Sequence, residues 1–179
     1  MTYLDHNAIT PVRPQAEAAV LRALRAFGNP SSVHAAGREA RAVLDEARGR
    51  VAAALRVHPR DVVFTSGATE SATLAIRGAL AAAPEGRTGL VVTAVEHPCV
   101  LDLARDLSLH GTPVQVVPVD RDGVVDLEAL ENAVGPETAL VCCMLANNET
   151  GVIEPVAEAA DVAHVAGALL LCDVVQAAG

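Results

Sequence analysis

Polar side chains that could take part in ligand chemistry follow four apolar segments of the sequence. They are a hydroxyl-rich turn at residues 66–69, Glu96 with His97, Asn147 with Asn148, and Asp173 with Gln176. Together they offer an anion-binding turn, an imidazole, an amide and a carboxylate. Each one alone has an ordinary explanation as a loop residue, a turn or a helix cap. Brought to one place, they would form a ligand site.

The first of these segments predicts a strand, a turn and a helix. Residues 62–65 are β-branched or aromatic, which is typical of a buried strand, and Gly67 ends the run. A helix is predicted from Ala68 to Leu80, with apolar residues on one face. The free N–H groups at such a helix start, together with the helix dipole and the Thr69 hydroxyl, favour a bound phosphate. The alternative is an ordinary strand–helix turn with a cap.

The elements that must position these side chains alternate along the chain. Further strands are predicted at residues 90–94, 114–119, 139–145 and 168–172, and further helices at 14–27, 33–56, 99–109, 127–134 and 155–165. Strands that are apolar on both faces indicate a parallel sheet covered by helices on both sides. Ligands of such sheets bind outside the carboxyl ends of the strands, so we expect the polar segments to meet at one rim.

The charge and composition argue against some classes of binding partner. The net charge of −9 argues against nucleic acids and anionic membrane surfaces. No apolar run reaches the roughly 18 residues of a membrane span. The first residues have no basic region followed by an apolar one, as a signal peptide would. We therefore expect a cytoplasmic protein that does not bind membranes or nucleic acid.

The reactive side chains limit the possible chemistry. The four cysteines, Cys99, Cys142, Cys143 and Cys172, have no metal-ligand or disulfide spacing, so no metal site is predicted. Cys142 and Cys143 are neighbours on a predicted strand, and we expect them to be small core residues on opposite faces. All 13 basic residues are arginines. Without lysine, no side chain offers a primary amine for covalent bonding to a cofactor.

Six motifs along the whole chain match one known family in order and approximate spacing. They are YLDHNA at 3–8 with Thr10-Pro11, FGNPSSVH at 27–34, FTSGATES at 64–71, EHP at 96–98, NNETG at 147–151 and DVVQ at 173–176. The sequence therefore resembles the N-terminal half of the cysteine desulfurases, which are pyridoxal-phosphate (PLP) enzymes of the class V aminotransferase group. A dinucleotide-binding domain is a poor alternative, because its glycine-rich motifs do not occur.

The resemblance implies roles for the residues around the cofactor. The Ala68 backbone and the Thr69 side chain would hold the PLP phosphate. His97, the implied catalytic residue, would stack on the pyridine ring and move protons. Val175 would lie against the opposite face of the ring, on the same side of an extended backbone as Asp173.

Further implied contacts surround the edge of the ring. Asn148 and Gln176 would hydrogen-bond around it, Gln176 to the phenolic oxygen. Asp173 would pair with the pyridinium nitrogen. A carboxylate there keeps the nitrogen protonated, so that the ring can accept electrons from the substrate.

The family reaction takes sulfur from L-cysteine, which leaves L-alanine and a persulfide on an enzyme cysteine for iron–sulfur cluster or thio-cofactor assembly. In the family, the lysine that forms a Schiff base with PLP and the acceptor cysteine both lie beyond the position of Gln176. No residue of this chain matches either one, so we expect the chain to be inactive alone. The resemblance also implies a homodimer and a sulfur-acceptor or scaffold protein as partners of the parent enzyme.

The implied fold is the α/β large domain of fold type I PLP-dependent transferases, with a mainly parallel sheet covered by helices. We expect residues 1–179 to form a single incomplete PLP-binding large domain, truncated before its last two strands and the C-terminal small domain. Residues 1–57 would form an arm and helices, and 58–179 the cofactor-binding core. Two alternatives stay open: another class V enzyme, such as a selenocysteine lyase or an aminotransferase, and a non-catalytic remnant.

Overall fold

Helices and strands alternate from residue 68 onward in the computed structural model, which describes residues 2–178. The chain divides into two units, Met1–Phe64 and Thr65–Gly179. This division falls a few residues beyond the predicted one at residue 57. The proposal of a single incomplete cofactor-binding domain stays a prediction.

The first unit is helical. Its elements are α1 (Pro14–Arg25), α2 (Ala35–Leu55) and a short 3-10 helix, Pro59–Asp61. Both α-helices agree with the predicted ranges to within two residues at each end. His34 caps α2, because its Nδ1 accepts a hydrogen bond of 3.3 Å from the N–H of Gly37. This assigns His34 a structural role.

The predicted strand at residues 62–65 is wrong. The backbone there is extended at Val62, but no strand pairs with it among residues 2–178. The Val62 N–H donates to the carbonyl of Pro59 at 3.2 Å, and its carbonyl accepts from the Arg48 guanidinium. The Arg48 guanidinium also lies 4.9 Å from the centre of the Phe64 ring. Both backbone polar groups of Val62 are therefore used within this unit. Val63 and Phe64 are exposed and Val62 is half-buried, so the segment is not the buried strand that was predicted.

In the described part of the second unit, a four-stranded sheet packs with four helices. In chain order its elements are α3 (Ala68–Ala82), β1 (Gly89–Thr93), α4 (Pro98–Leu109), β2 (Val114–Val117), α5 (Leu127–Ala133), β3 (Thr138–Cys142), α6 (Val156–Val165) and β4 (Leu169–Leu171). The strand order is β2-β1-β3-β4, and every pair is parallel. The predicted parallel sheet is confirmed. The order reverses at β1, whose neighbours are β2 on one side and β3 on the other.

Alternate strand residues face two separate layers of core. Leu90, Val92 and Cys142 pack with Ile76 of α3 and with α4 on one face of the sheet. On the opposite face, Val91, Val141 and Cys143 pack with α5 and α6. The predicted cover of helices on both sides is confirmed, and so are the buried positions of Cys142 and Cys143 on opposite faces. No helix among the described residues is long and apolar enough to cross a membrane.

A close backbone contact in the first unit leads to a test of the α2 start. A Cβ on Gly37 would lie 2.3 Å from the Ser32 carbonyl oxygen and 2.8 Å from that of Asn29, so backbone would have to move. We expect Gly37→Ala to destabilise α2 by about 2 kcal/mol. Amide hydrogen exchange of the α2 residues in the full chain measures this effect.

Gly49 of the same helix is the matched control. Nothing lies within 4 Å of a Cβ built on it. Gly49→Ala should therefore stabilise α2 by about 0.5–1 kcal/mol, which is the usual gain in a helix interior. Equal effects of the two substitutions would show that the close approach at Gly37 does not exist in solution.

Candidate functional site

The start of α3 presents backbone N–H groups, as predicted. Its first backbone hydrogen bond runs from the Ser71 N–H to the Gly67 carbonyl at 3.0 Å, so the N–H groups of Ala68, Thr69 and Glu70 come before the helical ladder. The Glu70 carboxylate accepts from both the N–H and the hydroxyl of Ser66 at 2.6 Å. These hydrogen bonds lower the Glu70 pKa. The Ser66 N–H is thus already used by the capping carboxylate.

A cavity of about 480 Å³ lies between this helix start and the end of β4. Its lining residues are Ala68, Ser71, Ala72 and Ala75 from α3, with residues 171–175 and Ala178 from the other side. The volume is within the usual range for small-molecule sites. The structure therefore brings Ala68, Asp173 and Val175 to one cavity.

Other predicted residues lie outside the lining of that cavity. Thr69 lines a separate groove on α3 with Glu70 and Thr73. In the part of the chain that is described, His97, Asn148 and Gln176 also do not line the cavity. Asn148 is half-buried, whereas His97 and Gln176 are exposed.

Asp173 caps a turn that follows β4. Its backbone carbonyl accepts from the Leu145 N–H at 2.9 Å, which continues the β3–β4 ladder. The chain then turns, because the Ala177 N–H donates to the Val174 carbonyl at 2.9 Å and the Val175 N–H donates to Asp173 Oδ1 at 2.8 Å. The expectation that Val175 follows on an extended backbone is wrong. The turn replaces the strand as soon as the ladder with β3 ends.

His97 caps α4. Its Nδ1 accepts a hydrogen bond of 3.2 Å from the Cys99 N–H. The neutral ring therefore carries its proton on Nε2, which leaves an N–H donor on the far side of an exposed imidazole. Cys99 lies at the start of α4, as predicted, and is half-buried.

Asn147 joins the ends of β1 and β3. Its Nδ2 donates to the Val95 carbonyl at 3.0 Å, and its Oδ1 accepts from the N–H groups of Glu149 and Thr150 at 2.9 Å each. These contacts give one reason for two adjacent asparagines here: Asn147 forms the turn that carries Asn148. Asn148 is the residue to which the resemblance assigns a cofactor contact.

Glu96, which the sequence analysis placed beside His97 without a specific role, is a buried carboxyl group. Only 3% of the residue is exposed. Its Oε1 accepts from the Thr93 hydroxyl at 2.8 Å and from the Met144 N–H at 2.6 Å, whereas Oε2 has no partner among the described residues. Burial raises the Glu96 pKa to about 7, against the lowering effect of these hydrogen bonds. The sequence signals for Glu96 were its position directly after an apolar strand and its place in the EHP motif.

Glu154 is a second buried carboxyl group that the sequence did not reveal. It is also 3% exposed, and its Oε2 accepts from the Val125 N–H at 2.9 Å. Its Oε1 has no partner within residues 2–178. Burial raises the Glu154 pKa as well. The group holds the loop before α5 and lies outside the lining of the cavity.

The buried cysteines are poor nucleophiles. Burial raises the pKa of Cys142 and of Cys143, the latter to about 12. Both are therefore thiols at neutral pH. The Cys172 pKa is raised too, first by burial and then by the charges of Glu96 and Asp173. Among the described residues, no group of three or more acidic, histidine or cysteine side chains could hold a metal ion.

Comparison with known proteins agrees with the fold and the motifs. The aminotransferase class-V family model matches residues 2–179. The cysteine desulfurase of Cereibacter sphaeroides is 47% identical over 180 residues, covering 99% of this chain and 46% of the relative. The cysteine desulfurase of Frankia sp. (strain EuIK1) is 43% identical over 188 residues, covering 100% of this chain and 45% of the relative. The chain thus spans less than half the length of these relatives.

Solved structures show the same fold. A NifS-like protein superposes with a TM-score of 0.90 at 37% identity, over 96% of this chain and 48% of that chain. The structure of SspA in complex with cysteine gives a TM-score of 0.89 at 30% identity, over 99% of this chain and 51% of that chain. The predicted α/β fold of the fold type I large domain is therefore confirmed. The chain belongs to the class-V aminotransferase family, within which it is similar to cysteine desulfurases.

Proposed function

We propose that this chain forms the PLP-binding part of a cysteine desulfurase. The observation that carries the proposal is the cavity that is lined both by Ala68, at the N-terminus of α3, and by Asp173, after β4. An anion-binding helix start and a carboxylate suit the two ends of PLP, which are a phosphate and a ring nitrogen that is protonated when paired.

The residues present fit this cofactor. The N–H groups before the helical ladder and the Thr69 hydroxyl are donors, as a phosphate requires. A Cβ built on Gly67 would meet nothing within 4 Å, so the turn leaves open space in front of the helix start. The apolar side of the cavity, formed by Ala72, Ala75 and Leu171, suits the faces of a ring.

Each predicted residue keeps its proposed role toward the cofactor. Ala68 and Thr69 would hold the phosphate, and Asp173 the ring nitrogen. His97 would stack on one face of the ring, and its Nε2–H would serve in proton transfer. When bound, PLP supplies an electron sink for the bonds at the substrate carbon. Asn148, Gln176 and Val175 would orient the ring from its edge and its other face.

The whole protein would act on L-cysteine and pass its sulfur to an acceptor or scaffold protein, and we propose that it works as a homodimer. The 179 residues contain no lysine. We therefore propose that this chain alone binds PLP without a covalent bond to a side chain and releases no sulfur. The free cysteines suit a reducing compartment such as the cytoplasm.

Cofactor binding by the isolated 179-residue chain tests this proposal. We expect PLP to bind reversibly in equilibrium dialysis, with no side chain labelled after borohydride reduction and no alanine formed from L-cysteine. Asp173→Asn should weaken binding by about tenfold, because a charge-assisted pair is lost. Glu149→Gln, an exposed change near the same rim, is the control and should bind as the wild type does. Equal affinity of wild type and Asp173→Asn would contradict the assigned role of Asp173.

A further inference from the structure

The gap between β1 and β3 at the carboxyl end of the sheet is closed by a side chain. β1 leaves the sheet after Thr93, and the next residue, Ala94, still bonds to β2 through its N–H at 2.8 Å. On the other side, β3 continues its ladder with β4 through the N–H groups of Cys143 at 3.0 Å and Leu145 at 2.9 Å. The intervening Met144 N–H is turned toward β1, because alternate N–H groups of a strand serve opposite neighbours.

The Glu96 carboxyl group meets that N–H. The chain bends at residues 93–96, where the Glu96 N–H donates to the Thr93 carbonyl at 3.3 Å. The side chain then returns to the sheet, and its Oε1 accepts from Met144 at 2.6 Å. The carboxyl oxygen therefore occupies the place of a strand carbonyl. The amide of Asn147 makes a second tie across the same gap, to the Val95 carbonyl at 3.0 Å.

We propose that Glu96 is a positioning residue of the cofactor site, whose carboxyl group fixes the loop that carries His97 against the loop that carries Asn148. The inference rests on the proposed function, because it concerns the same rim. His97 is the next residue along the chain, and Asn148 lies four residues beyond Met144. Because the Glu96 side chain holds Met144 to the end of β1, it fixes both the loop that carries His97 and the loop that carries Asn148.

The surroundings of Glu96 make its hydrogen bond to the Met144 N–H sensitive to pH. The charged groups that act on it are the carboxylates of Asp173 and Glu154, and its own charge acts on the thiols of Cys142, Cys143 and Cys172. Burial already raises its pKa to about 7. Below that pH the neutral acid leaves Asp173 as the charged partner for the cofactor ring. Above it, a second buried negative charge would oppose the binding of an anionic phosphate.

Three variants of the 179-residue chain separate the possible roles. Glu96→Gln keeps an oxygen that can accept from Thr93 and Met144 but cannot ionise. Glu96→Ala removes the carboxyl group and with it the contacts to Thr93 and Met144. Glu154→Gln is the matched control, because Glu154 is equally buried and also accepts a backbone N–H, but it lies outside the cavity lining.

Two readouts are measured between pH 5.5 and 8.5. The first is PLP affinity by equilibrium dialysis, compared between proteins at each pH because the cofactor phosphate titrates in this range itself. At pH 5.5 we expect wild type and Glu96→Gln to bind PLP equally. At pH 8.5 we expect the wild type to bind about fivefold more weakly than Glu96→Gln. Glu96→Ala should bind about tenfold more weakly at pH 5.5, whereas Glu154→Gln should follow the wild type throughout.

The second readout is the NMR signal of the Met144 amide, which does not depend on the cofactor. It should titrate with a midpoint near pH 7 in the wild type and slightly lower in Glu154→Gln, which lacks the Glu154 charge that raises the Glu96 pKa, but it should not titrate in Glu96→Gln. A Met144 amide that does not titrate in the wild type would overturn the inference, and so would unchanged PLP binding by Glu96→Ala. If the wild type binds no PLP but the Met144 amide titrates as expected, the proposed PLP binding by the isolated chain is wrong. The hydrogen bond between Glu96 and Met144 is then confirmed independently of it.

Discussion

Replacing Ile76 with alanine is expected to lower the free energy of unfolding of the Thr65–Gly179 unit by about 3 kcal/mol. Ile76 is 0% exposed, and within Ala68–Ala82 it is the one residue that is fully buried. It packs α3 onto the face of the sheet formed by Leu90, Val92 and Leu140. Removing three carbon atoms there leaves a cavity that the rigid strands cannot fill. The helix that presents Ala68 and Thr69 loses its main attachment, so PLP binding should weaken as well.

Leu74→Ala on the same helix is the control. Leu74 is 55% exposed, and the substitution should change stability by less than about 0.5 kcal/mol. Urea denaturation followed by circular dichroism measures both variants. Equal losses for Ile76→Ala and Leu74→Ala would mean that α3 does not pack on the sheet through Ile76.

The stability of the same unit is expected to fall by up to about 3 kcal/mol as the pH rises from 4.5 to above 7. The Glu96 pKa is raised from 4.5 to about 7 in the folded chain. Between these values the folded state holds a proton that the unfolded state has released. The contribution is therefore complete below pH 4.5 and is lost as the pH passes through about 7. Glu154, whose pKa is also raised, acts in the same direction.

Glu96→Gln isolates the contribution of Glu96 to this slope. The amide cannot ionise, so most of the loss between pH 5 and 8 should disappear, whereas Glu154→Gln should leave most of it. Urea denaturation at intervals of half a pH unit measures the slope for each protein. A wild-type stability that rises across this range would contradict the buried position of Glu96, since an exposed carboxylate has no such linkage.

Most of the fold could be predicted from the sequence because its elements follow local patterns. The two central strands, β1 and β3, are buried along their whole length, and the helices have apolar stripes at helical spacing. Residues 62–65 have a strand-like composition too, but a strand also needs a neighbour that supplies its hydrogen bonds. Here the Val62 carbonyl accepts from Arg48, fourteen positions earlier in the chain, and composition does not reveal that partner.

The candidate site was only partly predictable, because burial and turns decide its details. The turn before α3 and Asp173 could be found from motifs, and the structure brings Ala68 and Asp173 to one cavity. The backbone beyond Asp173 could not, since its side chain starts a turn at Val175. From the sequence, Glu96 could be recognised only as a polar residue after a strand and as part of the EHP motif. Its burial depends on Met144, which lies 48 positions further along the chain.

The adjacent thiols of Cys142 and Cys143 give the two faces of the sheet separate reporters. Both are free and 0% exposed, one in the core layer below α3 and α4 and the other in the layer below α5 and α6. A thiol reagent can reach either one only when the corresponding layer opens. The relative rates at which the two cysteines are labelled therefore distinguish loss of one helical layer from unfolding of the whole sheet. The two neighbouring cysteines at the end of β3 would thus show which helical layer of this unit opens first.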